Sequence, residues 1–178
     1  MSEAGEFQII EQFFTYPSFG AWKSQGVGDD CAIIDTGAGR LAVTCDMTAL
    51  GTHFFPDADP EDVGYKALAV NLSDLAAAGA VPRAFFLSIG LPRRDDGWLA
   101  DFSRGLMALA HESGCALLGG DTTRTPEIDG RHAPATISIT AMGDLPAGMG
   151  LTRSGAQPGD DIWVSGTVGD AYAALMCR

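Results

Sequence analysis

Positive charge is scarce in this chain. Its 178 residues carry 11 Lys and Arg against 23 Asp and Glu, a net charge of −12. So acidic a surface repels nucleic acid and anionic membranes unless cations intervene. Long apolar runs are missing as well: none reaches the roughly 18 residues that a membrane-spanning helix needs. The first residues, MSEAGEFQII, hold neither a basic stretch nor an apolar one, so no secretion signal is visible. There are only four cysteines, Cys31, Cys45, Cys115 and Cys177. They show no CxxC spacing, which excludes a zinc framework. Cys31, Cys45 and Cys115 lie in apolar segments and read as small buried thiols, suited to a reducing cytoplasm. His53, His111 and His132 have no paired ligand spacing. The common phosphate and nucleophile signatures are absent too. There is no GxxxxGKS/T, no HRD or DFG and no GxSxG. The pair Gly26 and Gly28 lacks the third glycine of a dinucleotide fingerprint.

What is present is a globular composition, 46% hydrophobic and 19% charged. The length allows one domain, or one and a fragment. Among the acids, 17 are Asp and 6 are Glu. Asp favours turns, caps and metal sites over helix interiors. The periodicity predicts an amphipathic helix over 6–19, ending before Pro17, and a short strand over 41–45. A second helix starts at an Asp59 cap with Pro60 in its first position and stops at Gly79. A strand over 84–91 and a helix over 95–113 follow; Trp98, Leu99, Phe102, Leu106 and Leu109 make one apolar face of that helix. Strands are expected at 115–118, at 135–142 with alternating burial, and at 161–165, and a last helix at 169–176. Crossover helices between strands indicate an α+β fold: a mixed sheet with helices packed on one face.

Four acidic positions stand apart: Asp29–Asp30, Asp46, Asp74 and Asp121. Three of them sit where a strand or glycine loop is expected to end, which is where such sheets usually keep ligands. Asp74 lies near the C-terminal end of an almost wholly apolar helix, where an anion opposes the dipole. Lys66 is two turns away, so the carboxylate either faces water or holds a cation. Carboxylates without thiolate or imidazole clusters select hard cations, Mg²⁺ above all. Gly28 and Gly119–Gly120 would let main-chain amides approach phosphates. Arg124 or Arg153 could clamp a phosphate, and His53 could contact a substrate.

These segments in this order resemble the thiamine-monophosphate kinase family. It belongs to a superfamily with aminoimidazole-ribonucleotide synthetase, selenophosphate synthetase and a hydrogenase-maturation protein. The matching strings are GVGDDCAII at 26–34, the run from VTCDMTALGTHFF to AFFLSIGLP at 43–92, LLGGDTTRTP at 117–126 and LTRSGAQPGDDIWVSGTVGDA at 151–171. The resemblance implies direct, Mg²⁺-assisted transfer of the ATP γ-phosphate onto thiamine monophosphate, giving thiamine diphosphate. Carried over position by position, it implies metal ligation by Asp30, Thr44, Cys45, Asp46, Asp74 and Asp121. It further implies ATP contacts from Gly120, Asp121 and Arg153 and a substrate contact from His53, with no side-chain nucleophile. It implies a homodimer whose sheets form a barrel across the two-fold axis. Cys45 stands where the family often has Thr or Ser. The family also has a C-terminal domain of comparable size. Residues 1–148 therefore read as the N-terminal ATP- and Mg²⁺-binding domain, and 149–178 as the start of a truncated second one. The competing readings are a superfamily relative with another acceptor and a non-catalytic nucleotide-binding or dimerisation fragment.

Overall fold

The computed structural model describes residues 6–15, 23–25 and 27–177. In chain order the elements are α1 (Glu6–Phe13), β1 (Lys23–Gln25), β2 (Ala32–Asp35), β3 (Arg40–Ala49), α2 (Pro60–Ala77) and β4 (Val81–Leu91). Then come α3 (Asp96–Ser113), β5 (Ala116–Arg124), β6 (Glu127–Ile128), β7 (Arg131–His132), β8 (Thr136–Leu145) and α4 (Asp170–Met176). Six strands form one sheet in the order β1-β2-β3-β8-β4-β5, and β6 pairs with β7 in a separate hairpin. Only β4 and β5 pair in parallel; the other neighbours in the sheet are antiparallel. The α+β reading therefore holds: a mixed sheet carries α2 and α3 on one face. The sheet is open, with β1 and β5 at its edges and no closed barrel within the described residues.

The helix boundaries follow from their caps. Asp59 Oδ1 accepts from the Glu61 N–H at 2.9 Å, and Pro60 opens α2 where its missing N–H costs nothing. Asp95 Oδ1 accepts from the Trp98 N–H at 3.0 Å, and Gly114 closes α3 at φ 65°. The two helices cross at a double glycine notch. A Cβ on Gly64 would lie 2.0 Å from the Phe102 carbonyl oxygen, and one on Gly105 would lie 1.9 Å from that of Glu61. Phe102, Leu106 and Leu109 are buried as the apolar stripe predicts, and Trp98 stacks on Phe102. The alternation of 135–142 also appears in β8, where Ile137, Ile139 and Ala141 are buried against the helices.

Four expectations are corrected. β3 continues past Cys45 to Ala49 because it stays paired with β8 down to Ala49↔Thr136, so Asp46 lies within a strand rather than after one. β5 runs through Gly119, Gly120 and Asp121 to Arg124, held by β4. The segment 161–165 is no strand: it has no sheet neighbour among the described residues, and Ile162 and Trp163 are 95% and 88% exposed. Cys45 is exposed, not buried, because its side chain points to the helix-free face of the sheet. Helix α1 ends at Phe13, and the rest of the 6–19 expectation, including Pro17, lies beyond Thr15 in residues outside those described. The last helix is found as α4, with none of its residues buried.

Candidate active site

On β3 the even positions face the helices and the odd ones face away: Ala42, Thr44 and Thr48 are buried and Cys45 and Met47 exposed. Asp46 shares the helix side. Its main-chain N–H donates to Asn71 Oδ1 at 3.1 Å. Asn71 is fully buried in α2 and donates Nδ2 to the Ala67 carbonyl at 3.0 Å. This amide is a polar pin between helix and strand, satisfied on both sides. One turn further along α2, Asp74 accepts from Thr44 Oγ1 at 2.7 Å. The helix thus brings a carboxylate at its C-terminal end against the strand that carries Asp46.

The loop at 27–31 closes the site from the other side. Asp30 pairs with the Arg153 guanidinium at 2.5 Å, and the Arg153 N–H donates to Asp29 Oδ1 at 2.9 Å. These contacts tie the segment after β8 back onto the loop before β2. A cavity of about 640 Å³ lies between them, walled by Gly28, Asp29, Asp30, Thr44, Cys45, Asp46, Asp74 and Arg153 among others. Its electrostatics are legible in Cys31. The buried thiol donates to the Asp74 carbonyl at 3.3 Å. Its pKa is pushed up to about 12, first by burial and then by the charges of Asp74, Asp30 and Asp29. Arg153 is pushed above the usual arginine range, first by its hydrogen bond to Asp30 and then by that carboxylate's charge, so the guanidinium is held in its charged form.

Of the residues singled out in the sequence, Asp30, Thr44, Cys45, Asp46, Asp74 and Arg153 share this cavity. Gly120, Asp121 and His53 are not in its wall. The register Asp46↔Ile139↔Leu87↔Gly120 puts Gly120 on the Asp46 side of the sheet and Asp121 on the opposite one. Three strand spacings, about 14 Å, separate β3 from β5. Gly120 has φ 152° and no room for a side chain, since a Cβ would lie 1.7 Å from the Leu87 carbonyl oxygen. Among the described residues no three Asp, Glu, His or Cys side chains are already gathered as a metal-binding group. His53 follows β3 in a tight turn and lines a separate recess with Lys66. Arg124 also lies elsewhere, beside Arg93, Arg94 and Thr122. The sequence assigns no function to Asn71 and no separate role to Asp29. An amide inside the apolar run AVNLSDLA was the available signal for Asn71.

A carboxylate-lined cavity where a helix end meets a mixed sheet defines a class, and sequence comparison agrees with it. The chain belongs to the family of the AIR synthase related protein, N-terminal domain, whose sequence profile matches residues 28–145. Within that family it is similar to thiamine-monophosphate kinases. The protein of that name from Salmonella typhimurium is 44% identical over 173 residues, covering 96% of this chain and 51% of that protein. The solved thiamine-monophosphate kinase from Stenotrophomonas maltophilia superposes with a TM-score of 0.71 at 47% identity, over 85% of this chain and 46% of its own. AaThiL, solved in complex with AMPPCP and TMP, gives a TM-score of 0.76 at 30% identity, over 87% of this chain and 49% of its own. The chain spans about half the length of the curated relatives it matches. No helix among the described residues is long and apolar enough to cross a membrane.

Proposed function

We propose that this chain is the nucleotide-binding, N-terminal part of a thiamine-monophosphate kinase, which transfers the ATP γ-phosphate onto thiamine monophosphate. The observation that carries the reading is the cavity that sets Asp30, Asp46 and Asp74 against Arg153, in a chain 44% identical to a kinase of that name. The complex of AaThiL with AMPPCP supports ATP as the phosphate donor.

The donor set fits Mg²⁺. Asp30, Asp46, Asp74 and the Thr44 hydroxyl are hard oxygen ligands, and an anion at the end of α2 gains a partner that no nearby lysine or arginine of its own helix supplies. Asp121 would join from the opposite sheet face only in an assembly that brings that face to the nucleotide, such as a homodimer or the remainder of the protein. Cys45 does not disturb the set. Its Sγ accepts from Thr140 Oγ1 at 3.3 Å and lies 3.6 Å from Ser138 Oγ, so toward the cavity it can offer its main-chain carbonyl. When bound, Mg²⁺ would neutralise phosphate charge and polarise the transferring phosphoryl group.

The chain's own residues have three tasks. The carboxylates and Thr44 fix where the charged end of the nucleotide lies. Arg153 exchanges Asp30 for a phosphate oxygen, which its planar fork suits. The sheet edge at Gly120 gives main chain without side-chain bulk for a nucleotide approaching β5. No general base is required, because the acceptor phosphate is already an anion, and transfer depends on alignment and charge neutralisation. Residues 1–148 form the nucleotide domain in this reading and 149–178 begin the second, with a homodimer formed through the helix-free sheet face.

The test is thiamine diphosphate formation from Mg–ATP and thiamine monophosphate, by this chain and by the extended gene product. The extended protein is expected to form product. Asp46→Asn and Asp121→Asn are each expected to lower the rate by a factor of about 100 or more. Unchanged transfer in both variants, or turnover of a different acceptor only, overturns the reading.

A further inference from the structure

After β3 the chain folds back in a turn that leaves His53 little freedom. The His53 N–H donates to the Ala49 carbonyl at 2.9 Å, and the Ala49 N–H returns a bond to His53 Nδ1 at 3.0 Å. Gly51, at φ 82°, lets the turn close, and its N–H donates to the Phe54 carbonyl at 2.9 Å. The remaining polar group of the His53 main chain is its carbonyl. Lys66, on the outer side of α2, donates Nζ to it at 2.6 Å. A ring nitrogen that faces a main-chain N–H can only accept, so the proton of the neutral imidazole sits on Nε2. That N–H is the ring's one remaining donor.

His53 and Lys66 line one recess together with Phe54, Asp57, Asp59 and Asp62. Three carboxylates at its rim oppose any anion, and Lys66 is the only cation among the described residues that line it. Lys66 therefore has two consequences for a phosphate: it fastens the turn that aims the imidazole, and it lowers the repulsion at the recess.

Building on the kinase reading above, we propose that Lys66 is a positioning residue. It clamps the turn at 49–54 so that His53 presents Nε2–H, as a hydrogen-bond donor and not as a base, to the anionic phosphate of the acceptor. Two measurements test this. In this chain, long-range ¹H–¹⁵N NMR of the His53 ring is expected to show a single Nε2-protonated tautomer. Lys66→Met is expected to average the two tautomers, and Lys66→Arg to restore one. In the extended protein, Lys66→Met is expected to raise the KM for the acceptor about tenfold while the KM for ATP stays unchanged, with recovery in Lys66→Arg. A tautomer unaltered by Lys66→Met, or an equal rise in both KM values, overturns the role of Lys66. Failure of the wild-type protein to phosphorylate thiamine monophosphate overturns the kinase reading alone; a tautomer that responds to Lys66→Met then still supports the clamp.

Discussion

Asp74 is the residue in which sequence and structure argue most directly with each other. In the sequence it is a misplaced charge: an anion at the wrong end of an apolar helix. In the structure it is half-buried, bonded to Thr44, and shares its cavity with Asp29, Asp30 and Asp46. Here it opposes the helix dipole and lies among like charges, which the nearby Arg153 guanidinium, itself paired with Asp30, offsets only in part. Asp74→Asn retains an acceptor for Thr44 and removes the charge. In EDTA it is expected to stabilise the fold by about 1 kcal/mol, read as a higher urea midpoint, because dipole and like-charge repulsion are both relieved. A lower midpoint would show that the carboxylate's bond to Thr44 outweighs the repulsion. Asn71 illustrates what a single sequence does not show. Its polarity is visible, but that it bonds the Asp46 N–H depends on how α2 lies across β3, a long-range fact.

The elements that local chemistry could specify were legible. Asp59–Pro60 and Asp95 start α2 and α3, Gly79 and Gly114 follow their ends, and the period-2 pattern marks β8. The misreadings share one cause. β3 and β5 extend beyond their apolar stretches because neighbouring strands supply hydrogen bonds that the residues Asp46 and Gly119–Gly120–Asp121 do not advertise. The segment 161–165 has the right residues for a strand and no neighbour among the described residues. Pairing decides strands more than propensity does. The helix pair depends on a feature that carries no periodicity, the facing glycines Gly64 and Gly105. Gly105→Ala would drive a methyl group into the Glu61 carbonyl. It is expected to destabilise the protein by about 2–3 kcal/mol in urea or thermal unfolding, despite alanine's better helix propensity. A neutral or stabilising outcome would mean that the helices slide apart without loss.

At the scale of the molecule, the site is made by segments remote in sequence. Arg153 reaches back 123 residues to Asp30, Arg40 Nη1 donates to the Met149 carbonyl at 2.9 Å, and the Leu151 N–H donates to Ala78 at 3.0 Å. The chain after β8 is thus fastened over the loop before β2, which makes Arg153 part of the cavity wall. Residue type alone carries the proposal of a metal–nucleotide site; which of the acids line one cavity is not visible in the sequence. Asp30, Asp46 and Asp74 line one cavity without being gathered at a common point, while Asp121 faces the other side of the sheet. The central claim is that these carboxylates admit a nucleotide only through a divalent cation. Calorimetric titration of the chain with ATP, with Mg²⁺ and again in EDTA, tests it most directly. The account predicts binding with Mg²⁺, none in EDTA, and loss of the Mg²⁺-dependent binding in Asp74→Asn. ATP binding of equal strength in EDTA would contradict it.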